Sequence, residues 1–309
     1  MKILLTGASS FTGCWFATTL AEAGHEVVAT FTANSAGDYE DALRKRRVKT
    51  ALPCCEPLWN TRFGDEQFVD AIRTGGFDLI ACHGAYVTDY RSDDFDFAKA
   101  VAANTHNLPK VVEAIATAGD APVLVTGTVF EGGEGAGGQG LPHFSPYGLS
   151  KSLTAQAFRH YCRTAGVGFG KFVIPNPFGP LEEARFTAYL VRTWKAGDTP
   201  GVRTPAYIRD NLHVDLLAKA YAGFAATLTR DSDAHYGPTG YVESQGAFAQ
   251  RFAREMQPRL GIDCPVELAE QTEYPEPRIR INTDDACHYA PDWDETAAWD
   301  ALGEYYRVG

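Results

Sequence analysis

The first 31 residues constrain the fold more than any other stretch. Ile3-Leu4-Leu5 is a short apolar run that ends in Thr6-Gly7-Ala8-Ser9-Ser10-Phe11-Thr12-Gly13. Phe16, Leu20 and Ala23 then recur at helical spacing, Gly24 closes the turn, and His25 to Phe31 reads as a second strand. Strand, glycine turn, helix and strand in so short a span make a βαβ unit of the kind that binds a dinucleotide. Gly7 allows the tight turn, and Gly13 lets the helix pack close to the strand. Backbone N–H groups at the helix start, around Ser9, Ser10, Phe11 and Thr12, are the place for a pyrophosphate.

The residues after the second strand bear on which dinucleotide. A carboxylate there binds the adenosine ribose and repels a 2′-phosphate. This chain has Thr30-Phe31-Thr32-Ala33-Asn34-Ser35 instead, so Thr32, Asn34 and Ser35 favour NADP, with NAD the alternative. Arg44 to Arg47 form a basic run that reads as a solvated helix face. Phe77 to Cys82 is a further buried-type strand ending at His83-Gly84-Ala85, where Gly84 and Ala85 let a cofactor approach the backbone. His83 is read as structural. A long helix over Phe95–Ala118 follows, carrying Asn104, and then a strand over Ala121–Thr126. Gly132 to Gly140 holds six glycines in nine residues and reads as a mobile loop near the site mouth rather than a phosphate cradle.

Ser145-Pro146-Tyr147-Gly148-Leu149-Ser150-Lys151 opens another helix, with Pro146 in its first turn. Tyr147 and Lys151 are one turn apart on the same face. An ammonium beside a phenol favours the phenolate, so Tyr147 is a candidate proton donor and acceptor for an alcohol/ketone pair. Thr126, at the carboxyl end of its strand, is placed to hold the same oxygen.

Composition narrows the class. A net charge of −11 argues against nucleic-acid binding and against an anionic membrane surface. No apolar run is long enough to span a bilayer, and Gly7 interrupts the N-terminus too early for a signal peptide. Seven cysteines without paired spacing suggest reduced, mostly buried thiols in a cytoplasmic protein, with no metal site.

From Thr6 to about Tyr221 the chain resembles the extended short-chain dehydrogenase/reductase family, in its nucleotide-sugar epimerase/dehydratase branch. The family's Thr-Gly-x-x-Gly-x-x-Gly motif matches at Thr6, Gly7 and Gly13 and departs at its middle glycine, here Ser10. Its catalytic Ser/Thr, Tyr and Lys fall on Thr126, Tyr147 and Lys151. Its Asn-Pro-Tyr-Gly-Pro signature appears as Asn176-Pro177-Phe178-Gly179-Pro180, and Arg-Asp-x-x-His-Val as Arg209-Asp210-Asn211-Leu212-His213-Val214. The resemblance implies cofactor contacts from Arg62 and Phe63, which replace an Asp-Leu pair, and from Asn104 and Pro175. It implies substrate contacts from Thr128, Asn176 and Arg209, with Arg209 on the diphosphate. Gly127-Thr128 replaces the acid pair of sugar dehydratases, which speaks against water elimination. Val173 stands where relatives carry an Arg, and His213 is read as structural.

In the second half, Gly168 to Ile174 reads as a strand. Glu182-Glu183-Ala184-Arg185-Phe186 opens a helix with its acids at the positive end, and Arg185 is a candidate contact for a substrate phosphate. A helix is expected from Asn211 to Thr227. Tyr241, Phe248, Phe252 and Trp299 read as core of a smaller C-terminal lobe. The expected architecture is therefore α/β: a Rossmann-type doubly wound parallel sheet over 1–175 with a smaller α/β substrate lobe over 176–309, the chain crossing back around 205–235. The expected activity is hydride transfer on a nucleotide-activated sugar, foremost 4-keto reduction. The alternatives are a 4-epimerase with tightly held NAD, a reductase of small aldehydes or lactones, and a non-catalytic dinucleotide sensor or scaffold. By analogy with the family, a homodimer pairs the helices of 95–118 and 147–164.

Overall fold

The computed structural model describes residues 1–135 and 140–308. Its centre is a parallel sheet built from β1 (Lys2–Leu5), β2 (Glu26–Thr30), β3 (Glu56–Leu58), β4 (Leu79–Cys82), β5 (Val123–Thr128) and β6 (Phe169–Ile174). Then come β7 (Asn176–Phe178), β8 (Gly201–Val202), β9 (Ile208–His213) and β10 (Asp233–Tyr236). β10 returns to the large sheet, whose seven strands run β10-β6-β5-β4-β1-β2-β3. The order reverses between β1 and β4, and the crevice outside their carboxyl ends is where such sheets bind ligands.

Among the described residues, α-helices cover the strands: α1 (Phe11–Glu22), α2 (Ala42–Ala51), α3 (Glu66–Gly75), α4 (Phe97–Asn104), α5 (Leu108–Ala118), α6 (Pro146–Ala165), α7 (Phe186–Lys195), α8 (Val214–Thr227), α9 (Gln245–Leu260) and α10 (Glu295–Val308). The central strands are buried on both faces, as their unbroken Ile, Leu and Val runs require. On one face α1 and α8 pack together, with Phe16 stacked on Tyr221 at a centroid distance of 3.8 Å. On the other, α3, α5 and α6 bury Phe68, Ile72, Val111, Ile115 and Phe158 against the sheet. A third core joins α7, α9 and α10 through Trp194, Phe248, Phe252 and Trp299. It lies beside a small sheet in which β9 pairs with β7, with Tyr241–Ser244 and with Ile279–Arg280.

Four local expectations are corrected. The helix expected over Phe95–Ala118 is two helices, because Asn107 adopts φ +50° and Pro109 belongs in a first turn, where its missing N–H costs nothing. Asn211 to His213 are strand, and α8 starts at Val214 with the His213 ring accepting from Asp215 N–H as the cap. The basic run is not wholly solvated: Arg47 is buried, donating from Nε and Nη2 to Leu181 O at 2.9 and 2.7 Å and pairing with Glu183 at 3.1 Å. Glu182 and Glu183 do not open a helix, since α7 begins at Phe186 behind Arg185. Within the glycine-rich stretch, residues 136–139 lie outside the described residues. All seven cysteines are free, and Cys14, Cys82, Cys162 and Cys264 are buried. Among the described residues no helix is long and apolar enough to cross a membrane.

Candidate active site

The glycine turn after β1 is shaped by close backbone approach. Gly7 sits at φ +80°, and a Cβ there would lie 2.7 Å from the Gly84 backbone. A Cβ on Gly13 would lie 2.1 Å from Gly7 O. Both positions thus exclude any side chain. Ser10 caps α1, its Oγ accepting from Gly13 N at 3.1 Å. Gly84 N donates to Thr6 Oγ1 at 2.8 Å, drawing the end of β4 over this turn. A helix N-terminus opening on a cradle that no Cβ could share suits a dinucleotide's diphosphate. Ser9 Oγ accepts from Arg44 Nε and Nη2 at 3.1 and 3.0 Å, so a guanidinium stands at the rim. Thr32, Asn34 and Ser35 are exposed after β2.

Phe63 packs on Phe68 and Phe158, and Arg62 is exposed with its N–H given to Asp65. Both ends of the buried Asn104 amide are used within the protein: Oδ1 accepts from Tyr86 N at 2.8 Å, and Nδ2 points to Thr154 Oγ1 at 3.4 Å. Asn104 therefore fastens the segment after β4 to α6. Ala85 is half-buried in that segment, and Pro175 is buried between β6 and β7.

The carboxyl end of β5 carries Thr126, buried, with Oγ1 at 3.1 Å from His83 Nδ1. The other ring nitrogen of His83 reaches back to the glycine turn, 3.1 Å from both Ser10 Oγ and Thr12 Oγ1. Burial, helped by Lys151, lowers this imidazole's pKa to about 3, so the ring is neutral. Tyr147 and Lys151 come from the first turns of α6, which Ser145 caps by accepting from Gly148 N. Lys151 is buried, and desolvation pulls its pKa down although Glu131 pulls it up. The Tyr147 ring packs against the Tyr90 and Phe95 rings, at centroid distances of 5.2 and 5.9 Å. Burial is the main force that pushes its pKa up, and Glu131 and Tyr90 add to this, whereas Arg185 draws it down. The lowering expected from Lys151 is not among the influences on this hydroxyl, and the phenol stays protonated at neutral pH.

Glu131 went unnoticed in the sequence. It is buried, with Oε1 accepting from Thr128 N at 2.8 Å and Oε2 paired to Lys171 Nζ at 2.6 Å. Lys171 also meets Glu134 at 2.8 Å. The only available signal was an acid directly after Val129-Phe130, in a stretch otherwise read as glycine loop.

Asn176 Nδ2 donates to Asp210 O at 3.0 Å. Arg185 precedes α7, paired to Glu183 at 3.2 Å with its buried Nε unpartnered among the described residues, and its charge reaches the Tyr147 hydroxyl. Arg209 pairs with Glu276 Oε2 at 2.8 Å, donates to the carbonyls of Ile208 and Pro277, and lies over the Tyr207 ring. These contacts brace β9. Arg280, missed in the sequence, is buried beside it over Phe144 at 3.8 Å, and burial lowers its pKa to about 10.

A family model described as "NAD dependent epimerase/dehydratase family" matches residues 3–236. No curated protein matches the chain in sequence. Among solved structures, the chain is similar to a variant of UDP-glucuronic acid 4-epimerase from Bacillus cereus in complex with UDP-4-deoxy-4-fluoro-glucuronic acid and NAD. That likeness has 15% identity and a TM-score of 0.76, covering 100% of this chain and 99% of that one. UDP-glucose 4-epimerase from Thermotoga maritima with UDP-glucose gives 16% identity, a TM-score of 0.76 and the same coverage. dTDP-glucose 4,6-dehydratase from Streptomyces venezuelae, with NAD and TYD bound, gives 19% and 0.72, covering 100% of this chain and 98% of that one.

Proposed function

Because the chain belongs to the NAD dependent epimerase/dehydratase family, we propose that it carries out oxidoreduction at C4 of a nucleotide-activated hexose, foremost reduction of a 4-keto sugar. What supports this reading is that β5, whose carboxyl end carries Thr126, packs against α6, which carries Tyr147 and Lys151, and that the Lys151 charge reaches His83, the hydrogen-bond partner of Thr126. A bound nicotinamide supplies the hydride. Tyr147 gives its hydroxyl proton to the sugar oxygen as the alcohol forms, and a phenol kept protonated by burial suits that direction. Thr126 holds the same oxygen, and Lys151 supplies positive charge beneath the site. Thr128, Asn176 and Arg185 line the sugar-diphosphate side.

The cradle around Gly7, Gly13 and Gly84 fits a dinucleotide's diphosphate. Arg44 at Ser9, with Phe31 to Ser35 directly after β2 carrying no carboxylate, supports NADP over NAD. Two lobes, 1–175 and 176–309, a cytoplasmic location and a homodimer belong to the same reading. Phe97, Leu153 and Tyr161 are exposed on α4 and α6, and a groove between α5 and α6 is lined by Val112, Ala116 and Ala165.

A second reading, a cofactor-retaining 4-epimerase, is favoured by the structural neighbours, of which two named above are 4-epimerases. NADPH oxidation with keto-sugar nucleotides separates the two readings, because an epimerase interconverts UDP-hexoses without net cofactor turnover. Tyr147→Phe lowers turnover by roughly 10²–10⁴-fold with dinucleotide binding kept. Full turnover in that variant would remove the assignment.

A further inference from the structure

Ser10 stands where the family carries its middle glycine, and His83 follows β4, yet the two meet above the sheet. His83 Nε2 is 3.1 Å from Ser10 Oγ and 3.1 Å from Thr12 Oγ1, and Nδ1 is 3.1 Å from Thr126 Oγ1. The ring is held edge-on against Phe16 at a centroid distance of 4.9 Å, so it cannot swing to other partners. A neutral imidazole has one donor nitrogen and one acceptor nitrogen, and its partners decide which is which. Ser10 Oγ already accepts the Gly13 N–H, so its own proton is free to be donated. Thr12 offers a second hydroxyl to the same nitrogen. When both hydroxyls donate, Nε2 is the acceptor, and the ring proton sits on Nδ1. Thr126 Oγ1 then receives that proton as a hydrogen bond, and its own O–H is left for the buried Tyr221 hydroxyl beside it or for the cleft.

We propose that Ser10, Thr12 and His83 form a directed hydrogen-bond chain that sets Thr126 as a donor toward the substrate oxygen, so that the site is polarised to hold a carbonyl. The chain runs from Gly13 N–H through Ser10 O–H and the His83 ring to Thr126 O–H, linking the cofactor turn to the reacting oxygen. It deepens the ketoreductase reading and rests on it for the identity of that oxygen. Ser10, Thr12 and His83 are positioning residues and touch no reacting atom. The opposite tautomer would make Thr126 an acceptor and suit an alcohol instead.

The tautomer is measurable without turnover. Long-range ¹H–¹⁵N correlation on histidine-labelled protein, with the His83 signal identified by its loss in His83→Asn, is expected to show the Nδ1–H form. In the Ser10→Ala/Thr12→Val double variant Nε2 loses both donors, and the ring is expected to switch to Nε2–H. An Nε2–H ring in the unaltered protein, or no switch in the double variant, overturns the chain. A kinetic arm uses dTDP-4-keto-6-deoxyglucose with NADPH. The double variant is expected to lose roughly ten-fold in kcat/KM, about the worth of one misdirected hydrogen bond, and each single variant much less, because one donor remains. Single variants as impaired as the double would also overturn it. If the unaltered protein reduces no keto-sugar nucleotide, the ketoreductase reading fails, and the NMR result still decides the chain.

Discussion

Glu182→Gln is expected to stabilise the protein at alkaline pH and to leave it unchanged in acid. Glu182 is buried in the turn before α7. Its Oε1 accepts from Tyr306 at 2.9 Å and from Thr187, while Oε2 is buried without a partner. Burial raises its pKa from 4.5 to about 7 against the pull of those hydrogen bonds and of Arg185. Between those two values the folded protein binds a proton that the unfolded chain does not, so stability falls as pH rises through this window. At 1.36 kcal/mol per pKa unit, the loss is complete above pH 7 and amounts to about 3 kcal/mol. Glutamine keeps the Oε1 acceptor and carries no charge. Urea unfolding of both proteins from pH 4 to pH 9 should give curves that coincide at the acid end and diverge steadily to about 3 kcal/mol. A difference that does not vary with pH, or a variant less stable in alkali, would refute the reasoning.

Two further outcomes follow from the geometry. Lys171→Met strands the buried Glu131 carboxylate beside the site, while Glu134 keeps His235, and should cost about 3–5 kcal/mol, whereas adding Glu131→Gln, which still accepts from Thr128 N, should restore about 2 kcal/mol or more in a urea double-mutant cycle. Gly13→Ala drives a methyl into Gly7 O and should weaken dinucleotide binding by at least about ten-fold in a fluorescence titration, with the sheet left folded.

What was legible in the sequence was local. Ile3-Leu4-Leu5, the Gly7 and Gly13 spacing and the Phe16–Leu20 periodicity lie within one supersecondary unit, and they reappear as β1 and α1. The break between α4 and α5 was also written locally, in Asn107-Leu108-Pro109, but the apolar periodicity of Val111, Val112 and Ile115 masked it. What could not be read depended on pairing between distant segments. Glu131 and Lys171 meet because β5 and β6 are neighbours, which places Thr126 opposite Phe172. Arg209 is claimed by Glu276 because Ile279–Arg280 adds to β9, a register that no motif announces. Arg47 lies in a run of four basic residues, and only the fold of the turn at Leu181 selects it for burial.

The return of β10 to the edge of the large sheet has a consequence for how such proteins are divided. Phe169 to Phe172 hydrogen-bond to Asp233 to Tyr236, and Tyr221 on the preceding helix is the stacking partner of Phe16. A polypeptide severed after Pro175 would bare the edge of β6 and uncover the apolar side of α1 at once. Excising or exchanging the C-terminal lobe therefore requires keeping α8 and β10 with the amino-terminal half, joined through new linkers where β9 and Pro238 now lead away.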